Sequence, residues 1–112
     1  MDTYETWVDL APGVNDLEFV RAVETYLGYL RGLGHLEAFR IRRRKLGFGP
    51  PDLGEFNISM EFQDLAQMDE AFLRVARRDP EVESLHAAVF SRVRGFRSAL
   101  YRDFPDPVRE GR

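Results

Sequence analysis

The spacing between apolar residues changes several times along this chain, and these changes limit the fold more than any other feature of the sequence. Apolar and polar residues alternate over residues 3–10 and 56–62, which is the period of a half-buried β-strand. Over residues 16–33 the apolar residues recur every three or four positions, which predicts an amphipathic helix. Asn15 and Glu18 have the form of a capping box at the start of that helix. The chain therefore combines strands with helices.

Glycine and proline mark the remaining element boundaries, because both residues interrupt helices and strands. Gly28 lies inside the predicted first helix, where glycine costs about 1 kcal/mol relative to alanine, so we expect a close backbone contact there. The further predicted elements are an Arg-rich second strand over residues 36–45, a Gly- and Pro-rich loop over residues 46–54, a helix begun by Asp64 and Gln67, a helix begun by Asp79 and Pro80 and ended by Gly95, and a fourth strand over residues 96–104.

The order of these elements predicts the fold class. Strand, helix, strand, strand, helix with an extra short helix, and strand follow the split β-α-β-β-α-β plan of ferredoxin-like α+β folds. Right-handed crossovers place the helices on one face of a four-stranded antiparallel sheet. A length of 112 residues suits one domain over residues 1–112 and excludes two full domains.

The composition excludes several classes of protein. Without cysteine, the chain has no disulfide framework, no thiolate metal site and no cysteine nucleophile. A formal net charge of −3 gives no general attraction to nucleic acid. No apolar run approaches the roughly 20 residues of a membrane-spanning helix, and the first residues lack the pattern of a signal peptide. We therefore expect a cytoplasmic protein that binds neither nucleic acid nor membrane.

Alternation divides the sheet residues between two faces of different character. The face expected under the helices is aliphatic and aromatic, with Val8, Leu10, Phe56, Ile58, Met60, Phe62 and Leu100. The opposite face carries Glu5, Trp7, Asp9, Asn57, Ser59, Glu61, Arg97 and Tyr101, with either Phe39 and Ile41 or Arg40, Arg42 and Arg44 from the second strand. Trp and Tyr are unusual on a face exposed to water, and Glu, Asn and Arg are unusual in a continuous core. We therefore predict a homodimer in which two sheets pack face to face around a partly polar cavity.

Two segments carry a resemblance to a known superfamily. The stretch RRRKLGFGPPDLGEFNI over residues 42–58 and the closing ALYRDFPDP over residues 99–107, together with the element order, resemble an uncharacterised bacterial family within the dimeric α/β-barrel superfamily. The resemblance implies a homodimer whose two sheets form one barrel, with a cavity in each protomer's half. It does not choose a reaction, because the superfamily includes cofactor-free monooxygenases, haem-degrading monooxygenases, dismutases, isomerases and ligand-sensing domains.

The polar and aromatic residues of the second face form the first candidate ligand site: Trp7, Asn57, Ser59, Arg97 and Tyr101. Aromatic walls suit a planar substrate, the Asn and Ser side chains would orient a carbonyl or phenol, and the Arg would neutralise an enolate or carboxylate. The alternative is a dimer interface with buried polar cross-links, because aromatic residues and Arg are also enriched in interfaces.

Histidine chemistry depends on two residues, His35 and His86. Two histidines exclude a metal centre of three, so no metal and no cofactor are expected. His35 is expected to cap the end of the first helix, while His86 is the one plausible general acid or base with a pKa near neutrality. The predicted catalytic residues are therefore His86, Arg97 and Tyr101.

A haem-degrading function is a further alternative. The resemblance implies an Asn, Trp and His set for such enzymes, and Asn57, Trp7 and His86 supply these residue types. In the haem-degrading relatives, however, the Asn comes from the first strand and the Trp from the third, whereas here the two are exchanged. The exchange counts against haem.

The dense basic run from Arg40 to Lys45 has two interpretations. It would bind a phosphate or carboxylate with help from backbone N–H groups of the adjacent Gly-rich loop. Alternatively it is a solvated, paired edge strand, whose charges oppose aggregation and whose partners are Glu37, Asp52 or Glu55. We favour the paired edge.

The C-terminal segment is expected to be ordered as far as about Pro107. Phe104 follows the last predicted strand, and leaving it exposed would forfeit about 2 kcal/mol of burial free energy. We therefore expect this segment to lie over the mouth of the cavity or on a partner subunit. The alternative is an ordinary frayed terminus.

Two classes of function remain open from the sequence. The first is a small dimeric barrel that binds, and as an enzyme transforms, a small aromatic or carbonyl compound in its cavity without a metal, in the manner of cofactor-free monooxygenases. The second is a non-catalytic ligand-sensing or assembly module. A pocket bounded by aromatic and polar side chains favours the first class, and a face filled by partner side chains favours the second.

Overall fold

Seven elements follow one another in the predicted order. The computed structural model describes residues 1–106, which form β1 (Asp2–Leu10), α1 (Asp16–Gly32), β2 (Ala38–Arg43), β3 (Phe56–Phe62), α2 (Leu65–Ala76), α3 (Pro80–Phe90) and β4 (Val93–Arg102). The strands form an antiparallel sheet in the order β2-β3-β1-β4, with the helices packed on one face. The predicted ferredoxin-like α+β class is confirmed.

Each helix begins at the polar residue that the sequence indicates. The side chain of Asn15 accepts a hydrogen bond from the backbone N–H of Glu18, at 3.1 Å. Asp64 accepts one from the N–H of Gln67, at 2.9 Å, and Asp79 caps the third helix in the same way. These bonds satisfy N–H groups that have no partner within the helix, so the local sequence determines where each helix starts.

Two predictions about glycine are wrong. Gly95 does not end α3, which stops at Phe90; instead it lies inside β4 with a φ of 63°. It sits beside a register shift between β1 and β4, where a left-handed residue bends the strand. The close backbone contact expected at Gly28 is absent as well, because an added Cβ atom would meet nothing within 4 Å among the described residues.

The hydrophobic core lies between the sheet and the helices. Its largest fully buried side chains are Phe19, Val23, Leu36, Phe62 and Val82. The rings of Phe19 on α1 and Phe56 on β3 meet edge to face, with centroids 5.3 Å apart. The apolar residues of β1 and β3 thus cover one side of the sheet as predicted, and α1 and α3 pack over them.

The other side of the sheet carries the polar and aromatic residues, and we call it the free sheet face. Strand pairing shows which residues β2 contributes to this face. Arg42 lies opposite Asn57 and Arg40 lies opposite Ser59, while Phe39 and Ile41 pack against the core. The members of the free sheet face used below are Glu5, Trp7, Arg40, Arg42, Asn57, Ser59, Arg97 and Tyr101.

The strand β4 is the least covered element of the sheet. It lies at an edge, and Leu100, which was expected under the helices, is 48% exposed. Phe104 is 78% exposed, so the described residues 1–106 do not cover this ring. Pro107, the expected limit of order, lies outside the described residues.

Candidate functional site

A cavity of about 590 Å³ lies between the sheet and the helices. This volume falls within the range of about 300–1,000 Å³ that is usual for small-molecule sites. The sheet and the segment leading into it contribute Tyr4, Thr6, Val8, Leu36, Ile58, Met60, Phe62, Val93 and Phe96. The helices contribute Val23, Tyr26, Leu27, Leu30, Ala71, Phe72, Val75, Ala76, His86, Val89 and Phe90. The wall is therefore almost entirely apolar and rich in aromatic rings.

Few polar groups interrupt this wall. The hydroxyl of Thr6 donates to the backbone carbonyl of Ile58 at 3.3 Å and is thus already satisfied. Burial raises the pKa of Tyr26 to about 12, so its phenol keeps its proton at neutral pH. Tyr26 lines the cavity, and its hydroxyl has no hydrogen-bond partner among residues 1–106, so it can donate to a bound molecule.

His86 is the titratable base of the cavity. Its ring stacks on Phe90 with centroids 4.2 Å apart, and the edge of Tyr26 approaches it at 5.7 Å. Burial lowers the pKa of His86, an effect that the nearby carboxylate of Glu83 opposes in part. The imidazole is accordingly neutral at pH 7, and within the described part of the chain its ring nitrogens form no hydrogen bond.

Three half-exposed aromatic side chains border the open side of the cavity, and we call them the aromatic rim. They are Phe72, Phe90 and Phe96, which are 44%, 38% and 48% exposed. Phe72 meets Tyr4 edge to face at 5.3 Å, and Phe90 lies 5.9 Å from Phe96. Phe96 belongs to the edge strand β4, whereas Phe72 and Phe90 come from α2 and α3. A flat apolar molecule can enter the cavity from this side.

The predicted ligand residues lie on the free sheet face and not in this cavity. The carboxylate of Glu5 accepts hydrogen bonds from Asn57 at 2.9 Å and Ser59 at 2.8 Å. Arg42 donates to the side-chain oxygen of Asn57 at 2.7 Å and lies 3.5 Å from Glu5. Trp7 is the pairing neighbour of Asn57. The polar groups of this face therefore bond mainly to one another.

The three predicted catalytic residues do not form one group within a protomer. Arg97 lies opposite Trp7 on the free sheet face, where it donates to Asp52 at 2.6 Å, and Tyr101 lies further along the same strand, 60% exposed. His86 lies in the cavity on the other side of the sheet. Asn57, Trp7 and His86, the three residues considered for a haem-degrading function, also lie on different sides of the sheet. They therefore do not surround one space.

Three residues of the basic run, Arg42, Arg43 and Arg44, are occupied by internal contacts. Arg43 donates to Asp16 at 3.0 Å and to Glu55 at 2.9 Å, and its guanidinium lies over the ring of Phe56. Arg44 donates to backbone carbonyls of the following loop, those of Pro50, Leu53 and Gly54. These contacts agree with the interpretation of the basic run as a paired edge strand. They occupy the guanidinium groups of Arg43 and Arg44, which are therefore not free to bind a phosphate or carboxylate.

Sequence comparison assigns the chain to a family. A family of unknown function, DUF6614, matches residues 1–112. The chain belongs to DUF6614. A comparison with curated protein sequences finds no match.

Solved structures share the fold of this DUF6614 chain. SnoaB from Streptomyces nogalater, described as a cofactor-independent oxygenase, has a TM-score of 0.69 at 9% identity, covering 94% of this chain and 97% of that one. A hydroxynitrile lyase from Passiflora edulis has a TM-score of 0.67 at 11% identity, with 95% and 96% covered. A dimeric ferredoxin-like protein of unknown function from Jannaschia has a TM-score of 0.61 at 16% identity, with 92% and 100% covered. At such identities the likeness shows the fold alone.

The DUF6614 structure adds residues that sequence reasoning missed. The sequence analysis placed the ligand space between two sheets, whereas the cavity of about 590 Å³ lies under the helices and includes Tyr26, Phe90 and Phe96. The spacing of His86 and Phe90, one turn apart on an apolar stripe, was the available signal. Among the described residues, no set of three or more His, Asp or Glu side chains is arranged to hold a metal ion, and no helix is long and apolar enough to cross a membrane.

Proposed function

We propose that this protein binds a small, flat, largely apolar compound of the aromatic or carbonyl class in the cavity between its sheet and its helices, and that His86 exchanges a proton with that compound. The observation that carries the proposal is the cavity of about 590 Å³, whose wall is almost entirely apolar and contains one neutral imidazole. Specific sites of this kind combine an apolar wall with a few polar groups that orient the ligand.

The chemistry follows from the two polar groups beside the cavity. A neutral His86 accepts a proton from a phenol hydroxyl or from the carbon next to a carbonyl: the ligand's O–H or C–H bond breaks, an N–H bond forms, and negative charge remains on the ligand oxygen. Tyr26 retains its proton because burial raises its pKa to about 12, so its hydroxyl stabilises that charge by donating a hydrogen bond.

Two neighbours of the same fold support an enzymatic interpretation. SnoaB is described as a cofactor-independent oxygenase and the Passiflora edulis protein as a hydroxynitrile lyase, so this architecture accommodates catalysis on a compact scaffold. Proton transfer at His86 requires neither a metal nor a cofactor, which agrees with the class expected from the sequence.

For the free sheet face we propose a homodimer interface. The face combines Trp7 with polar side chains that already satisfy one another, notably Glu5, Asn57 and Ser59. Such a network can be covered by a second sheet without leaving unpaired charges, which is the condition for burying polar groups. The dimeric neighbour from Jannaschia supports this assembly.

A non-catalytic sensing module is the second candidate. It is favoured by the isolation of His86, because its ring nitrogens form no hydrogen bond among residues 1–106 and no second side chain therefore orients the imidazole for proton transfer. In that case the cavity binds its ligand without proton transfer, and replacing His86 leaves the bound compound chemically unchanged.

The experiment uses 2-naphthol as the probe, because it is flat, apolar and carries one acidic hydroxyl. Ala71 faces the cavity from α2, and Ala71→Phe should fill part of the space and weaken 2-naphthol binding at least about tenfold, the scale of a lost apolar contact. Ala66→Phe, on the exposed side of the same helix, is the matched control and should bind like the unaltered protein. Failure of the unaltered protein to bind, or equal affinity in the Ala71→Phe variant, would overturn the proposal.

A further inference from the structure

We propose that α2 is a lid over the cavity, and that a ligand enters and leaves when this helix moves away from the sheet as a unit. The inference rests on the proposed function, because it concerns access to the same cavity. It adds the part of the molecule that moves: α2 opens, while α1 and α3 keep Tyr26 and His86 in place.

The helix α2 is the least buried of the three helices. Within the described part of the chain, α1 buries five side chains and α3 buries two, whereas α2 buries Ala71 alone. Phe72 and Leu73, the next two residues of α2, are 44% and 40% exposed. A helix in a folded protein is held mainly by the apolar face that it buries, so α2 is held less firmly than its neighbours.

The cavity is the physical reason for this weak packing. Four side chains of α2 line it: Ala71, Phe72, Val75 and Ala76. This part of the helix therefore borders empty space and not the sheet, and side chains beside a void lose van der Waals contacts on that side. The ring of Phe72 still meets Tyr4 of β1 edge to face, with centroids 5.3 Å apart. This aromatic contact stabilises the closed position of the helix.

Polar contacts hold the N-terminal end of α2. The side-chain amide of Gln67 donates to the backbone carbonyl of Gly34 at 3.0 Å and to the carboxylate of Glu37 at 2.8 Å. Gly34 and Glu37 lie between α1 and β2, so these two bonds tie the lid to a part of the chain outside it, and we call them the Gln67 latch. Because hydrogen bonds exposed to water contribute little net free energy, the latch can open while the protein stays folded.

Short connections at both ends of α2 serve as hinges. Gln63 and Asp64 join β3 to the helix, and residues 77–79 join it to α3. Arg78 has a φ of 53°, the left-handed conformation in which a chain commonly leaves a helix. The hinges of lids are usually a few residues at the ends of elements, where a change in backbone angles moves a whole helix.

The helix α3 stays in place while α2 moves. Val82 of α3 is completely buried, and Tyr29 of α1 donates to the carboxylate of Glu81 at 3.0 Å. His86, on the same helix, therefore keeps its position in the cavity wall. Movement of α2 carries Phe72 away from the rest of the aromatic rim, and this widens the open side of the cavity.

A covalent bridge across the latch tests the inference, because the natural chain contains no cysteine. In the double variant Glu37→Cys with Gln67→Cys, a short thiol-specific cross-linker replaces the latch at a place outside the cavity. Cross-linking should slow both binding and release of 2-naphthol about tenfold or more in stopped-flow fluorescence, with little change in affinity.

The matched control for this bridge is Tyr29→Cys with Glu81→Cys, which joins α1 to α3 through another hydrogen-bonded pair. Cross-linking of the control should leave both rates unchanged, because neither helix moves. Unchanged rates after cross-linking of the Glu37→Cys, Gln67→Cys variant, or equal slowing in the control, would overturn the inference.

Labelling of a buried thiol tests the lid without a ligand. Ile58 is buried on the sheet and lines the cavity, so the Ile58→Cys thiol should react with N-ethylmaleimide when the cavity opens. Adding Gln67→Ala, which removes the latch, should raise the labelling rate about fivefold, the effect of losing a hydrogen bond of ordinary strength. Adding Tyr29→Phe, which removes the bond between α1 and α3, should leave the rate unchanged.

The labelling rates also separate a failure of the lid from a failure of the proposed function. Failure of the unaltered protein to bind 2-naphthol would refute the proposed function, and the labelling rates would still decide whether α2 opens. An absence of acceleration by Gln67→Ala, or an equal acceleration by Tyr29→Phe, would contradict the lid.

Discussion

The imidazole of His86 stacks on the ring of Phe90, with their centroids 4.2 Å and their planes 26° apart, and the two residues are separated by one turn of α3. The stack holds a titratable group against an apolar wall. Burial in this setting lowers the pKa of His86, because the charged imidazolium loses the stabilisation that water provides. The cavity therefore contains a neutral base over the physiological pH range.

The first prediction concerns the pH dependence of ligand binding. Because the pKa of His86 lies below its ordinary value of about 6.5, the imidazole is neutral above that pH and becomes charged as the pH falls through the lowered value. Affinity for 2-naphthol should be constant above about pH 6.5 and decrease on further acidification. His86→Gln should abolish this decrease and His35→Gln should preserve it. A pH profile that persists in the His86→Gln variant would contradict the assignment.

The second prediction concerns the dimer. Trp7→Asp places a carboxylate in the centre of the proposed interface, where an unpaired buried charge costs several kcal/mol. The variant should be monomeric by light scattering at micromolar concentration, whereas Leu17→Asp, on the exposed side of α1, should remain dimeric. A stable monomer of 13 kDa for the unaltered chain would disprove the interface.

The third prediction separates two glycines. A Cβ atom on Gly54 would lie 2.6 Å from backbone atoms of Val8, so Gly54→Ala should destabilise the fold by about 1–3 kcal/mol, the usual cost of overpacking. A Cβ atom on Gly28 meets nothing, so Gly28→Ala should stabilise the protein by about 0.5–1 kcal/mol through helix propensity. Urea denaturation measures both changes. Equal effects of the two substitutions would show that the close approach at Val8 is not real.

The fourth prediction compares two ion pairs at the C-terminal end of β4. Arg102 bonds to Asp2 at 2.6 Å, and this bond lowers the pKa of the Asp2 carboxyl, which is buried. A carboxyl group whose pKa is lower in the folded than in the unfolded protein stabilises the fold at pH values above its unfolded pKa. This stabilisation is lost as the pH falls through the folded pKa. Arg102→Met should therefore lower Tm at pH 7 and change it much less in strong acid. Asp103→Asn removes a pair with the N-terminal amino group, whose two partners are exposed, and should change Tm little. Similar Tm losses for both variants would be inconsistent with this difference in burial.

The elements that the sequence predicts well are those determined by neighbouring residues. The alternation around Ile58 predicts β3 with its observed limits, and the caps at Asn15 and Asp64 mark helix starts because they bond within three residues. Gly95 was misread because a glycine after an apolar stripe looks the same at a helix end and at a bulge. The bulge depends on pairing with β1, which is distant in sequence.

The candidate site likewise combines features that neighbouring residues determine with features that depend on residues distant in sequence. Periodicity correctly assigns Trp7 and Asn57 to one face and Ile58 to the other, because side chains alternate along a strand. Where the empty space lies depends on how the helices pack over the sheet, and small side chains such as Ala71 help to set that distance. This spacing is a tertiary property, so the sequence analysis did not find the cavity under the helices.

The most direct test of the account is an NMR titration of the methyl-labelled protein with 2-naphthol, which reports contacts residue by residue. The account predicts shifts for methyl groups of Leu30, Ile58 and Val89, which line the cavity, while the indole N–H of Trp7 on the free sheet face stays unchanged. Shifts centred on Trp7 with the cavity methyl groups unmoved, or no saturable shifts at all, would contradict it.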